Sequence, residues 1–164
     1  MILFLDYDGT LHPSWIFEVG AGRVTANTYE GPWLVEAPKL QQILEPYLPR
    51  IEIVISSMWA YTKGLETARR MLPDSLAERV SDSTWLPGME CDYRSALCNR
   101  FDCIKWWLEQ RRPDYEGPWL ALDDDDDRWP ADQRHRLVHA LGTLSNPQVQ
   151  SELAAKLSSM IGAE

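Results

Sequence analysis

Short apolar runs recur along the chain and predict strands that are buried on both faces of a parallel sheet. The clearest runs cover residues 2–5, 51–55 and 119–122. A further strand is expected near residues 136–140, whereas the segment 75–88 is ambiguous and is compatible with a short helix and a short strand. The lengths of these runs suit strands rather than helices.

Segments with helical periodicity lie between the apolar runs. Over residues 95–111, for example, Phe101, Ile104 and Leu108 fall on one face of a helix, and Pro113 lies beyond its end. Strands that alternate with helices indicate an α/β fold with a doubly wound parallel sheet, covered by helices on both faces. The other predicted helices cover residues 39–47, 63–72 and 147–160, the last of them after capping residues at 145–148.

A segment punctuated by glycine interrupts this alternation between about residues 12 and 38. Two extended runs around Gly20 and Gly22 predict a β-hairpin, which would form a small flap. Neither this segment nor the one between the second strand and the helix over 95–111 leaves room for a large cap domain. We therefore expect one domain over residues 1–164, with an open, solvent-accessible site.

Length and charge narrow the class of protein. A chain of 164 residues is large enough for one domain with a substantial core. No apolar run approaches the roughly 20 residues of a membrane span, and no signal-type segment precedes the first strand, so we expect a cytoplasmic protein without a membrane partner. The net charge of −9 argues against broad nucleic-acid binding through phosphate neutralisation, although a bound metal would offset part of it.

The cysteines are odd in number and fit no common zinc-site spacing. They are Cys91, Cys98 and Cys103. We expect reduced thiols, with Cys103 packed along its helix, and assign them no function.

Two carboxylates, Asp6 and Asp8, directly follow the first strand and are separated by one residue. Ligand sites in open α/β sheets lie at the carboxyl ends of the strands. Carboxylates this close are costly unless a cation or a shared proton relieves their repulsion, and Mg²⁺ takes oxygen ligands. A simple polar turn is the alternative interpretation. A calcium loop is disfavoured, because Gly9 follows Asp8 at once and no helix precedes them.

The other two clear apolar runs also end in polar residues. Ser56 follows the second run, and the acidic run 123–127 follows the third. Because the carboxyl ends of parallel strands meet at one edge of a sheet, we expect these groups to converge with Asp6. We assign Asp123 and Asp124 to the site, since they directly follow their strand, and expect the other three acids to face solvent or to order the loop.

Together these motifs resemble the haloacid dehalogenase-like (HAD) superfamily, which consists mostly of Mg²⁺-dependent phosphohydrolases with a Rossmann-like core. Residues 6–10 match its first motif, Asp-x-Asp-Gly-Thr, while Ser56 and the acidic pair at 123–124 match the ends of two later motifs. Within the superfamily, the chain is similar to the small domain of Swiss-army-knife RNA repair proteins. That similarity rests on Ser-Ser-x-Trp at 56–59 and Arg-x-x-x-Ile-x-x-Trp-Leu at 100–108.

The resemblance implies a role for each of these residues. Asp6 would be the nucleophile that forms an aspartyl-phosphate, and Asp8 would be the general acid and then the general base. Ser56 would donate its hydroxyl to a phosphoryl oxygen. Mg²⁺ would be held by the Asp6 side chain, the Asp8 carbonyl and either Asp123 or Asp124. Because the dehalogenases of the superfamily lack the second acid of the first motif, Asp8 favours a phosphatase.

A basic residue on the helix before the last motif would complete the implied site, and two residues compete for this role. Arg100 lies where the resemblance places the cation, near the start of the helix. Lys105 lies a turn further on and would snorkel from the flank of the helix. We predict Arg100 on the strength of that resemblance, and a guanidinium can also engage phosphate oxygens in a bidentate manner.

An uncapped site admits bulky substrates such as polymer ends, and the resemblance points to RNA repair. We therefore predict a Mg²⁺-dependent phosphomonoesterase that acts on the terminal phosphate of RNA or DNA. A small-molecule metabolite phosphatase and a catalytically silent phosphate-binding or interaction module stay open as alternatives. An aromatic residue near the mouth, Trp15 or Trp59, would stack a terminal base. The cations expected to contact the backbone are Arg23, Lys63 and Arg94.

Overall fold

The computed structural model of the protein describes residues 1–13, 18–20, 23–25, 31–85 and 99–162. Its strands are β1 (Ile2–Leu5), β2 (Glu18–Gly20), β3 (Arg23–Thr25), β4 (Glu52–Ile55), β5 (Val80–Ser83), β6 (Trp119–Asp123) and β7 (Leu137–His139). Five of them form one all-parallel sheet in the order β5-β4-β1-β6-β7. The strands β2 and β3 pair in the antiparallel sense, which confirms the predicted hairpin.

The central strand, β1, is buried on both faces, as its unbroken apolar run predicts. Successive side chains of a strand point to opposite faces of the sheet. Leu3 and Leu5 accordingly lie in one core cluster, and Ile2 and Phe4 lie in a second. The sheet therefore has a hydrophobic core on each side, which confirms the doubly wound α/β architecture.

Helices from both sides supply these cores. They are α1 (Ala37–Leu44), α2 (Met58–Lys63), α3 (Leu65–Arg70), α4 (Asp74–Ala77), α5 (Arg100–Arg111) and α6 (Pro147–Ile161), with 3-10 segments at Glu45–Arg50 and Ala131–Arg136. The helix α5 covers the Phe4 face, where Trp107 meets Phe4 edge-on with 5.5 Å between ring centroids. The other five α-helices place buried side chains in the cluster of Leu3 and Leu5.

Three helices depart from their predicted bounds, and one of them is α5, which was expected over residues 95–111 and begins at Arg100, after its capping residue Asn99. The helix expected over residues 63–72 is α3, and the short helix α2 before it was not predicted; Gly64 separates the two with φ +83° and ψ 148°. That conformation suits glycine and interrupts a helix. The helix α1 ends at Leu44 and continues as a 3-10 segment, in which Pro46 and Pro49 lack the N–H that an α-helix needs.

The buried stripe of α5 also differs from the prediction. Its fully buried residues are Cys103, Ile104 and Trp107, whereas Phe101 and Leu108 are half-buried at the margin of the core. The large Trp107 ring packs against β1 and so sets the rotation of the helix. Burial raises the pKa of the Cys103 thiol to about 11, which keeps it protonated at neutral pH. Cys91 and Cys98 lie outside the described residues.

The segment between β1 and β4 contains no large cap domain in its described part. It holds the hairpin, α1 and the first 3-10 segment. A single domain over residues 1–164 stays a prediction. Across the described ranges, no helix combines the length and the apolar character needed to cross a membrane.

Candidate active site

The carboxyl ends of three neighbouring strands bring predicted site residues together. The strand β1 lies in register between β4 and β6, so Asp6, Ser56 and Asp123 share one edge of the sheet. Backbone pairing extends to this edge: the Asp6 N–H donates to the Leu122 carbonyl at 3.1 Å, and the Ser56 N–H donates to the Leu5 carbonyl at 2.8 Å. The rigid centre of the sheet therefore fixes all three side chains.

Three carboxylates meet at this edge and form what we call the acid cluster: Asp6, Asp123 and Asp124. One oxygen from each lies within 4.8 Å of the others. Burial raises the pKa of both Asp6 and Asp123 above the ordinary aspartate range, and the neighbouring Arg100 opposes this only in part. Asp6 Oδ2 is buried and accepts no hydrogen bond from the described residues. The negative charge of the acid cluster is therefore only partly compensated by Arg100, and a further cation would stabilise its ionised form.

The acid cluster is less exposed than predicted. Asp6 and Asp123 are almost fully buried, whereas Asp8 and Asp124 are half-buried. Asp6 itself is therefore not exposed within the open site that the sequence predicts, because Arg100 and the strand ends pack around its carboxylate. Asp8 and Asp124 mark the accessible side of the site.

Arg100 supplies the cation of the site. It is the first residue of α5, which Asn99 caps with its side chain. Its Nε lies 2.7 Å from Asp123 Oδ2, and its Nη2 lies 3.1 Å from Asp6 Oδ1. Its Nη1 donates a hydrogen bond to the Ser56 carbonyl. One guanidinium thus ties together the ends of β1, β4 and β6.

The competing cation, Lys105, lies away from the acids. Its Nζ lies 3.6 Å from Glu109 Oε1 on the flank of α5, where the lysine side chain is 50% exposed. The structure therefore brings Arg100, rather than Lys105, to the acid cluster. Burial opposes the charge of Arg100, but Asp123 and Asp6 hold its pKa above the ordinary arginine value, so the guanidinium stays charged.

The turn after β1 positions Asp8 beside the acid cluster. Gly9 has φ +74°, a value that favours glycine and lets the chain reverse at once. Asp8 Oδ2 accepts a hydrogen bond from Trp59 Nε1 at 2.8 Å. Burial raises the pKa of Asp8, and the Trp59 hydrogen bond, Arg100 and Lys63 oppose it in part. A metal-binding role for the Asp8 carbonyl stays a prediction.

The Ser56 hydroxyl is buried and accepts a hydrogen bond from Thr84 Oγ1 at 3.3 Å. Thr84 follows β5, so a fourth strand end contributes to the site. The sequence analysis missed Thr84 because it left its segment ambiguous between helix and strand. A hydroxyl residue directly after a predicted strand is the signal that would have identified it. The next residue, Ser57, caps α2.

Trp59 is the partner of Asp8 rather than a stacking surface. It is 5% exposed, and its ring meets Tyr7 and Trp33 edge-on, with centroids 5.7 Å and 5.3 Å away. The prediction that Trp59 stacks a terminal base is therefore wrong, because other rings cover it. Trp33, which the sequence analysis missed, is 53% exposed. Three other predicted contacts lie outside what the structure describes: Trp15, Arg94 and the side chain of Arg23.

The acids that follow the cluster order their own loop. Asp123 Oδ1 accepts a hydrogen bond from the Asp125 N–H at 3.0 Å, and Asp125 Oδ1 accepts one from the Asp127 N–H at 2.9 Å. Asp126 Oδ2 accepts one from Arg134 Nη1 at 2.7 Å. These contacts confirm that the later part of the acidic run orders the loop.

The donors of the acid cluster suit a hard divalent cation. All are carboxylate oxygens, which Mg²⁺ and Ca²⁺ prefer. The buried Asp6 Oδ2 accepts no hydrogen bond within the described part of the chain, and a cation at this point would satisfy it. The residues present therefore fit the Mg²⁺ that the HAD resemblance implies.

Comparison with known proteins identifies the family of this site. A family model described as the HAD domain in Swiss Army Knife RNA repair proteins matches residues 2–149. No curated protein and no solved structure matches the chain. The matched range contains the acid cluster, Asp8, Ser56 and Arg100.

Proposed function

The chain belongs to the family of HAD domains in Swiss Army Knife RNA repair proteins, and on that premise we propose that it is a Mg²⁺-dependent phosphomonoesterase acting on terminal phosphates of RNA. One observation carries the proposal: the buried carboxylate of Asp6 is held by Arg100 within the acid cluster, at the carboxyl edge of the sheet. Asp8, the second acid of a phosphatase-type motif, lies beside that cluster. A protein that only binds phosphate has no need of this second acid.

The contacts of Asp6 support its role as the nucleophile. Arg100 engages Oδ1, which leaves Oδ2 without a hydrogen bond from the described residues. In the proposed reaction, a carboxylate oxygen of Asp6 bonds to phosphorus while the bond from phosphorus to the leaving oxygen breaks. Asp8 gives its proton to that leaving oxygen. Water then attacks the phosphorus of the aspartyl-phosphate and passes a proton to Asp8, while the bond from phosphorus to the Asp6 oxygen breaks. Inorganic phosphate leaves and the Asp6 carboxylate is restored.

The acid cluster is the proposed holder of Mg²⁺, with Asp6, Asp123 and Asp124 as ligands. A bound divalent cation would offset the repulsion between the carboxylates and an incoming phosphate. Binding to the folded state alone also stabilises it, by about 2.7 kcal/mol when the ligand concentration is 100 times Kd. We expect MgCl₂ to raise the melting temperature of the wild type and to raise that of Asp124→Asn much less. Equal shifts in the two proteins would argue against a metal at the cluster.

The deciding experiment compares kcat/KM for 3′- and 5′-phosphorylated oligoribonucleotides and oligodeoxyribonucleotides with kcat/KM for a panel of phosphorylated metabolites, with and without Mg²⁺. We expect the oligoribonucleotides to be the best substrates and activity to require the metal. A metabolite that exceeds every oligonucleotide tenfold would identify a small-molecule phosphatase instead. Absence of turnover on all substrates would identify a silent binding module.

The isosteric variant Asp6→Asn is the control for the chemistry. Its amide is a poor nucleophile, so the rate should fall by about a thousandfold or more. Because Asp6 is buried and paired with Arg100, its thermal unfolding must be measured alongside. A folded variant that keeps more than a tenth of the wild-type rate would exclude the covalent mechanism.

A further inference from the structure

Beside Asp8 lies an aromatic and cationic surface, which we call the Trp33–Lys63 platform after its two exposed members. The buried Trp59 links it to the acid, because its Nε1 donates to Asp8 Oδ2 at 2.8 Å and its ring supports Trp33 edge-on at 5.3 Å. Lys63 Nζ lies 5.8 Å from the centroid of Trp33 and 5.3 Å from that of Trp59. Trp59 therefore connects the half-buried Asp8 carboxyl to an exposed indole, and the Lys63 ammonium lies near both rings and acts electrostatically on Asp8.

Contacts around Trp33 distinguish it from an ordinary exposed side chain. Single exposed apolar residues are common and carry no functional implication. Trp33, however, is held from two directions, since its ring also lies 5.3 Å from that of His12, at an interplanar angle of 33°. A ring fixed in this way offers its exposed area at a small entropic cost, which is the property of a binding surface.

Lys63 gives the platform its charge. None of the described carboxylates forms an ion pair with it, and it is exposed at the end of α2. Lys105, in contrast, forms an ion pair with Glu109 on α5. The net charge of −9 repels a polyanion, whereas the positive charge of Lys63 attracts it locally. A polyanionic substrate is therefore expected to approach the acids from the side of Lys63.

We propose that the Trp33–Lys63 platform is the leaving-group subsite: the terminal nucleobase of the substrate stacks on Trp33, and the neighbouring phosphodiester contacts Lys63. This inference rests on the proposed function, in which Asp8 protonates the leaving oxygen, so that whatever borders Asp8 faces the leaving group. A nucleobase has the π-face that an indole stacks, whereas a sugar or an alkyl chain does not. The subsite therefore selects nucleotides over phosphorylated sugars.

The test of Trp33 compares two tetranucleotides that carry the same terminal phosphate, one with a terminal base and one with an abasic terminal sugar. Stacking on an indole predicts a kcat/KM about tenfold or more higher for the base-containing substrate. Trp33→Ala should bring the ratio to within about twofold, and Trp33→Phe should keep most of it. Tyr61→Ala is the matched control, because Tyr61 is an exposed aromatic of α2 that packs on Trp85 instead. A wild-type ratio retained by Trp33→Ala would overturn the subsite.

The test of Lys63 compares a dinucleotide, which has a phosphodiester, with a mononucleotide, which lacks one. Lys63→Ala should raise KM for the dinucleotide about threefold to tenfold and leave KM for the mononucleotide unchanged. Lys105→Ala, the control on α5, should change neither. Equal effects of Lys63→Ala on both substrates would exclude the phosphodiester contact.

A second measurement separates the subsite from the chemistry. An oligonucleotide with 2-aminopurine as its terminal base loses fluorescence when that base stacks on an indole. We expect quenching on addition of Asp6→Asn and loss of quenching in Asp6→Asn/Trp33→Ala. If no phosphate is hydrolysed by the wild type but this quenching depends on Trp33, the proposed function fails and the subsite stands. If base-containing and abasic substrates react equally and no quenching occurs, the phosphatase stands and the subsite fails.

Discussion

The Arg100 guanidinium contacts residues at the ends of three strands in the candidate site. Each of its three nitrogens contacts a different residue: Nη2 pairs with Asp6, Nε pairs with Asp123, and Nη1 donates to the Ser56 carbonyl. The planar fork of arginine suits such contacts, whereas the point charge of lysine does not. Removal of Arg100 would also leave Asp6 and Asp123 facing each other without a nearby cation.

We therefore expect Arg100→Ala to lose about 10²-fold or more in kcat, as the loss of an electrostatic stabiliser typically does. Lys105→Ala, on the same helix but paired with Glu109, should stay within about twofold of the wild type. Arg100→Lys should recover only part of the loss. Steady-state kinetics on one phosphorylated oligonucleotide decides the order, and the reverse order would transfer the role to Lys105.

The hydrogen bond from Trp59 to Asp8 makes a second residue-level prediction. Trp59→Phe keeps an aromatic ring against Tyr7 and removes the donor, together with the part of the indole that a phenyl ring does not replace. Loss of a hydrogen bond to a charged group costs about 1.5–3 kcal/mol, which corresponds to roughly tenfold to hundredfold in kcat. The loss should be large for an alkyl phosphate and small for 4-nitrophenyl phosphate, whose leaving group needs no proton.

Trp129→Phe is the matched control for that measurement. Trp129 also loses one indole hydrogen bond, to the Gln133 carbonyl, but it belongs to the core on the Phe4 face. Its kinetics should equal those of the wild type with both substrates. If Trp59→Phe slows both substrates equally, its effect is a general disturbance and Trp59 does not position Asp8.

At the level of elements, the two copies of one hexapeptide differ in structure at the residues that are described in both. Tyr-Glu-Gly-Pro-Trp-Leu occurs at residues 29–34 and again at 115–120. In the second copy Trp119 is buried and begins β6, whereas Trp33 lies in an exposed turn and the next residue, Leu34, has φ +49°. The partner β1 is available only to the second copy, so tertiary context overrides local preference.

The same contrast explains what the sequence could and could not predict. Buried strands with acids at their ends follow from composition and order alone, so Asp6 and Asp123 were found, and the resemblance led to Arg100. Which face of a helix is buried, or which indole meets which carboxylate, depends on packing. The hydrogen bond between Asp8 and Trp59 joins residues that are 51 positions apart in the chain, and no local sequence pattern predicts it.

Packing of the last helix gives a prediction about stability. Leu153 is fully buried in α6, and the same cluster contains Val149 and Leu157. Leu153→Ala should lower the free energy of unfolding by about 2–5 kcal/mol, because it removes apolar contacts and leaves a cavity. The identical change at Leu141, which is 64% exposed, should alter it by no more than about 0.5 kcal/mol. Urea unfolding measures both, and similar losses would argue against the packing of α6 on the sheet.

At the scale of the whole molecule, charge and topology act together. Parallel strands gather the acids at one edge of the sheet, and the net charge of −9 makes the protein as a whole repel a polyanion. For the proposed nucleic-acid substrate, the exposed Lys63 is then the attractive charge that the described residues place near Asp8. Under the proposed function, we therefore expect a nucleic-acid substrate to be held at its end and repelled along the rest of its length.

This balance predicts that substrate length has little effect. A phosphorylated tetranucleotide should match a 20-mer with the same terminal sequence to within about threefold in kcat/KM, because only the terminal nucleotides meet positive charge. The slope of log KM against log salt should be near 1 for both, since each neutralised phosphate of a single strand contributes about 0.7. Steady-state assays across a range of KCl concentrations measure both quantities. A 20-mer that reacts more than tenfold better, with a steeper salt dependence, would require contacts along its length, and end recognition would then be wrong.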